Sequence, residues 1–187
     1  MQIEHTPLDG LIVITPKRFG DARGFFCESF SKRAMAQQGL DIEWVQDNHS
    51  LSQAVGTVRG LHFQAPPHAQ AKLVRCGRGA LFDVAVDIRR GSPSYGRWFG
   101  TTLSFDNGRQ MLIPAGFLHG FVTRMPDTEI VYKCSDYYAP ECDGAVRFDS
   151  PEIGIDWALN GLPAILSDKD QNAAPFDTFK SPFHYEG

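Results

Sequence analysis

GRQMLIPAGFLH, residues 108–119, fits without a gap the pattern G-x5-P-x-G-x2-H, the second half of a metal-binding signature of small β-barrels. The first half lies upstream and is altered. GTVRGLHFQ, residues 56–64, supplies His62 where G-x5-H-x-H places its leading ligand, and then Gln64 where the second histidine belongs. The stretch HFQAPPHAQAK, residues 62–72, holds no carboxylate, so the expected acid is missing as well. A set of three histidines and one carboxylate is thereby reduced to His62 and His119, with His68 in the vicinity. Catalytic metals usually take about three protein ligands. Two imidazoles therefore predict a barrel whose pocket has exchanged metal chemistry for acid–base chemistry. Histidine titrates near neutral pH and moves protons unaided. Neither a metal nor a cofactor is expected.

Outward from this stretch, apolar and β-branched segments of strand length recur at residues 11–16, 24–30, 57–64, 71–76, 80–88, 98–105, 109–114 and 128–134, with Gly, Pro, Asn or Asp between them. That spacing predicts an all-β sandwich or barrel. One helix is expected at SKRAMAQQGL, residues 31–40, with Ser31 as N-cap and Gly39 as the left-handed stop. A short second one is expected around Ser167–Gln171. At residues 81–88 the period is two: Phe82, Val84, Val86 and Ile88 form an apolar face, and the other face carries Asp83 and Asp87. The Pro- and Phe-rich AAPFDTFKSPF near the C-terminus reads as a segment wrapping the barrel.

The 187 residues suit one domain, 1–187, since no Ser/Gly linker or charge block divides them. A formal charge of −4 exerts no general pull on nucleic acid or acidic membranes. Cys27, Cys76, Cys134 and Cys142 show no C-x2-C pairing, and MQIEHTPLDG lacks the basic-then-apolar pattern of a signal peptide. These features predict reduced thiols in the cytoplasm. No apolar run approaches the roughly 20 residues of a membrane-spanning helix.

Polar residues punctuate the predicted strands. Arg23 and Glu28 flank a hydrophobic strand start, and Gln46 and Asn48 share one face of an extended segment. Arg59 precedes His62 by three residues, Lys72 begins the next strand, and Tyr132 and Lys133 sit in an apolar one. Singly, each reads as a solvated charge or a hydrogen-bonded structural group. Together, on strands flanking His62 and His119, they read as a site.

Seven blocks in order resemble the dTDP-4-dehydrorhamnose 3,5-epimerase family, cupin-like sugar-nucleotide epimerases. They are D-x-R-G-F-F-x-E-x-F at 21–30, Q-x-N-x-S-x-S at 46–52, R-G-L-H-x-Q-x-P-P-x-x-Q-x-K-L-V at 59–74, D-V-x-V-D-x-R at 83–89, I-P-x-G-F-x-H-G-F at 113–121, Y-K-x-x-x-Y-Y-x-P at 132–140 and S-D-K-D at 167–170. The resemblance implies a cupin jelly-roll (double-stranded β-helix) barrel with a few short helices. It also implies a cofactor-independent isomerase acting on a dTDP-sugar, and a homodimer whose N-terminal segment pairs with a neighbouring sheet. Its cytoplasmic role would be making dTDP-L-rhamnose for a cell-surface glycan.

Epimerisation beside a ketone needs a base, support for the enolate oxygen and an acid on the opposite face. The family's pattern assigns these roles to His62, held by Asp170, to Lys72 and to Tyr132, with Lys72 also expected to lower the phenol's pKa. Arg23 and Arg59 match pyrophosphate and sugar contacts. Glu28, Gln46, Asn48 and Lys169 match residues orienting the nucleotide, Tyr138 the ring stacked on thymine, and His119 a substrate contact. One departure is Asp143, where the family usually has Glu; the shorter side chain implies either a changed nucleotide contact or no effect, and it leaves open a relative of altered specificity. Three other readings stay open: a mono-epimerase acting at C3 or C5, a sugar 3,4-ketoisomerase, and a non-enzymatic barrel that binds a sugar nucleotide or a metal.

Overall fold

Short β-branched runs separated by Gly, Pro and Asn form antiparallel strands throughout the computed structural model, in which residues 1–186 are described. A six-stranded sheet runs in the order β1 (Gln2–His5), β2 (Ile12–Thr15), β10 (Gln110–Ile113), β7 (Lys72–Arg78), β12 (Thr128–Cys134) and β5 (Gln46–Ser52). A five-stranded sheet runs β13 (Asp143–Ala145), β6 (Val58–Gln64), β11 (Phe117–Thr123), β8 (Ala80–Asp87) and β9 (Trp98–Ser104). The two face each other as the walls of a jelly-roll barrel, as the family resemblance implies. A hairpin of β3 (Arg18–Asp21) and β4 (Gly24–Cys27) stands apart.

Three layers of apolar side chains result. Between the sheets, Val74, Met111, Ile113 and Ile130 of one wall meet Leu81, Leu103, Phe117 and Phe121 of the other and fill part of the barrel. Outside the five-stranded sheet, Val58, Val84, Val86, Leu118 and Val122 are covered by Ile153, Trp157, Phe176, Phe179 and Phe183, so the C-terminal segment does wrap the barrel. Outside the six-stranded sheet, Ile12, Ile14, Leu73 and Leu112 are covered by Met35 of helix α1 (Lys32–Ala36) and by Phe30, Leu40 and Trp44. In β8, Leu81 and Ala85 join the core between the sheets, on the acid-bearing face, so Asp83 and Asp87 are carried inward and are fully buried.

Several boundaries differ from the sequence expectation. Helix α1 is shorter than residues 31–40. The Ser31 hydroxyl accepts from Ala34 N–H as a cap, and Gly39, at φ +77°, lets the Leu40 N–H return to the Met35 carbonyl at 3.0 Å. The strand expected over 24–30 ends at Cys27. The N-terminal segment pairs with β2 of its own chain at the sheet's outer edge.

The decisive local irregularity is in β6. His119 of β11 pairs with His62 and Phe121 pairs with Arg59, so two steps along β11 match three along β6. The extra residue is a bulge. Gly60 sits there at φ +129°, where a Cβ would lie 2.5 Å from Gly120 Cα. Only glycine on both strands permits that approach. In a regular strand Arg59 and His62, three apart, would face opposite sides. The bulge changes the parity, and both line the same cavity.

Candidate active site

The open part of the barrel is a cavity of about 410 Å³ lined by Arg59, His62, Lys72, His119, Tyr132 and Asp170, among others. A neighbouring cavity shares His62, Lys72 and Tyr132 and adds Gln46, Asn48, Tyr138, Asp143 and Lys169. The structure thus brings together eleven of the thirteen residues singled out in the sequence.

One wall carries imidazoles. His62 Nε2 lies 2.5 Å from Asp170 Oδ1, across 108 residues of chain. The contact exists because the Val58 N–H donates to the Ile165 carbonyl at 2.9 Å, which lays the C-terminal segment along β6. Helix α2 (Asp168–Gln171), the short helix expected around Ser167, then turns Asp170 toward the barrel; the Ser167 hydroxyl accepts from the Asp170 N–H at 3.2 Å. Burial opposes ionisation of Asp170. Hydrogen bonds from His62, Ser167 and the Gly60 N–H outweigh it and hold the carboxyl below its ordinary range. Because an ionised carboxylate only accepts, Nε2 of His62 carries the proton and Nδ1 is left as the basic nitrogen. His119 is arranged alike, its Nε2 2.8 Å from Asp83 Oδ1. Asp83 was not singled out as a site residue, although its inward phase was readable from the alternation in β8. Its Oδ2 is buried with no hydrogen-bond partner among the described residues.

The facing wall carries a cation and a phenol. Lys72 of β7 pairs with Cys134 of β12, two residues from Tyr132. Burial lowers the Lys72 pKa, only partly offset by Cys134, Asp143 and Asp83. Burial and the nearby Cys134 raise the Tyr132 pKa, while Asn48 and the Arg59 guanidinium pull it down. The expectation that Lys72 lowers the phenol is therefore corrected: the net direction is upward, and the cation acting on Tyr132 is Arg59. Arg59 spans the walls, donating to the Ser52 hydroxyl at 3.2 Å and the Leu51 carbonyl at 3.1 Å on β5.

In the second cavity the Tyr138 ring is exposed. Its hydroxyl donates to Asp143 Oδ2 at 3.3 Å, and the Lys169 ammonium pairs with the same oxygen. Asp143 thus tethers two candidate nucleotide contacts despite its shorter side chain. Gln46 donates to Asn48 Oδ1 at 3.1 Å, and Asn48 to Cys134 Sγ at 3.6 Å. Two residues fall outside both cavities. Arg23 projects from the β3–β4 hairpin, its side chain 89% exposed and paired with Asp21, and Glu28 lines a separate depression beside α1. His68 is bound to Asp136 at 3.1 Å. Among the described residues no group of three or more His, Cys, Asp or Glu is placed to hold a metal ion.

The family model described as dTDP-4-dehydrorhamnose 3,5-epimerase matches residues 5–178. The enzyme of that name from Sinorhizobium fredii is 49% identical over 173 residues, covering 92% of this chain and 88% of the relative. A crystal structure of dTDP-6-deoxy-D-glucose-3,5-epimerase from Legionella pneumophila Philadelphia 1, in complex with dTDP-4-keto-L-rhamnose, superposes with a TM-score of 0.93 at 44% identity, covering 100% of this chain and 99% of that one. A 3'-monoepimerase from Streptomyces bikiniensis, solved with dTDP-quinovose, superposes with a TM-score of 0.87 at 34% identity, covering 92% and 87%.

Proposed function

The chain belongs to the dTDP-4-dehydrorhamnose 3,5-epimerase family, and from that membership we infer that it inverts C3 and C5 of dTDP-4-dehydro-6-deoxy-D-glucose, giving dTDP-4-dehydro-L-rhamnose. The observation that carries the chemistry is that His62 and Tyr132 stand on facing sheets of one cavity. A sugar ring held between the walls presents one face to the imidazole and the other to the phenol. His62 Nδ1 takes the proton from the carbon beside the 4-ketone, the C–H pair becomes the C=C bond of the enolate, and the carbonyl π pair moves onto the ketone oxygen. Lys72 supports that developing enolate charge, and Asp170 stabilises the imidazolium that forms. Tyr132 returns a proton to the same carbon from the opposite side, and both groups exchange with solvent before the second carbon reacts. The raised phenol pKa keeps the donor loaded at neutral pH.

The nucleotide lies in the second cavity, with Tyr138 stacked on the base and Lys169, Gln46 and Asn48 on the polar groups, while Arg59 reaches it from the first cavity. His119, on the strand beside His62, contacts the sugar. Arg23 and Glu28 serve a partner's site. The β3–β4 hairpin, which carries Arg23 and ends just before Glu28, exposes Phe19, Phe25 and Phe26, an apolar surface suited to a second copy, and this supports a homodimer. Four free thiols and a sugar-nucleotide substrate favour the cytoplasm. Among the described residues no helix is long and apolar enough to cross a membrane.

The test is incubation with dTDP-4-dehydro-6-deoxy-D-glucose in D2O, following deuterium by NMR and mass spectrometry. Label at both C3 and C5, with inversion, is expected. Label and inversion at one carbon would make the chain a mono-epimerase, and label at neither would refute the substrate assignment.

The alkaline behaviour separates Lys72 from Tyr132. A lysine whose pKa is depressed loses its charge below the ordinary value of 10.5, whereas the tyrosine stays protonated above 10.0. The alkaline limb of kcat/KM is therefore expected to report Lys72 and to move to higher pH in Lys72→Arg, whose guanidinium stays charged. An unmoved limb in that variant would assign it to another group.

A further inference from the structure

Gln64 stands where the metal signature puts its second imidazole, two residues after His62 on β6, and it is 5% exposed. Its amide is fully engaged. Nε2 donates to the Tyr137 carbonyl at 2.9 Å and to the His68 carbonyl at 2.5 Å, and Oε1 accepts from the Ala139 N–H at 3.0 Å. A primary amide has two N–H donors, and here both are used on main-chain carbonyls. The main-chain groups held at residues 137 and 139 bracket Tyr138. The Tyr138 N–H itself donates to Gln46 Oε1 at 3.0 Å.

We propose that Gln64 is a positioning residue for the nucleotide: it fixes the main chain on both sides of Tyr138, so that the exposed ring is held over the second cavity before the base arrives. The position that the metal signature gives to a ligand here holds a clamp that serves binding. An unclamped loop would have to be ordered at the moment of binding, and that cost appears as weaker affinity. Neither His62 nor Tyr132 bonds to Gln64, so the step at the sugar should be spared.

This inference rests on the nucleotide-binding reading of the second cavity. It is tested with dTDP alone, so that its failure is distinguishable from failure of the sugar assignment. Gln64→Glu keeps the shape but has no N–H to give either carbonyl, and Gln64→Met keeps the length with no polar atom. Each is expected to weaken dTDP binding, measured by calorimetry, about tenfold. KM should rise by a similar factor, with kcat within about twofold. Gln64→Met in a Tyr138→Ala background should cost no further affinity, because the clamp acts through the ring and this variant adds no charge to the cavity that residue 64 also lines. Unchanged dTDP affinity in a folded Gln64 variant would overturn the proposal, as would an equal further loss in the Tyr138→Ala background. A lowered Tm with affinity intact would leave Gln64 a structural residue only, which also overturns it.

Discussion

The His62→Ala variant is expected to bind dTDP with the affinity of the parent chain while its kcat for epimerisation falls by about 10²–10⁴, the range for removing a positioned general base. The separation follows from the contacts: His62 also lines the second cavity, but its side chain is bonded to Asp170 and not to Tyr138, Lys169 or Gln46, and its Nδ1 is the basic nitrogen left beside the Asp170-bound Nε2. A base acts only as the bond breaks, so its loss belongs in kcat. Deuterium uptake from D2O should fall with turnover at both carbons. Near-parental turnover in this variant would refute the assignment of His62, and an equal collapse of dTDP affinity would show that the change had damaged the barrel instead.

Tyr132→Phe is expected to part exchange from inversion. With the phenol gone, His62 still removes a proton and returns one to the face it came from, so deuterium enters substrate without change of configuration. Inversion should slow by about 10²–10⁴ while wash-in persists. The substitution deletes one oxygen from a half-buried ring that packs against the barrel core, so stability should change little. If exchange and inversion fell together, Tyr132 would be needed for enolate formation. If inversion survived, the donor on that wall would be another group. NMR of recovered substrate and product distinguishes these outcomes in one experiment.

The barrel was legible because its strands are short, β-branched and punctuated by Gly and Pro, and because a motif matched without a gap ended at His119. The boundaries were less so. Helix α1 and the strand from Gly24 both stop early, where a left-handed glycine and the end of a two-stranded pairing decide the matter. The strand β11 was hidden inside the tail of the motif, and β1, with its exposed and charged residues, lacks the apolar run that marks a buried strand. Within the site, His62, Lys72 and Tyr132 were found by their residue types and blocks. Their division between two walls was not, since it depends on which strands pair. The common facing of Arg59 and His62 was also beyond simple alternation, which assigns them opposite sides; it needs the bulge at Gly60. Asp83 was visible only as one acid in a patterned strand. The direction of the Tyr132 shift came from burial, which a linear sequence does not display.

The bond between His62 and Asp170 joins residues 108 positions apart, and this has a consequence in time. Synthesis proceeds at roughly 5–20 residues per second, so His62 leaves the peptidyl-transferase centre on the order of ten seconds before Asp170 is made. Through that interval both barrel walls can be translated, and β6 already carries its imidazole, yet the carboxylate that holds the ring has not been made. The emerging chain thus lacks the His62–Asp170 pair until the strap that seals the outside of the five-stranded sheet has been delivered, and completion of the outer layer and of the pair become one event.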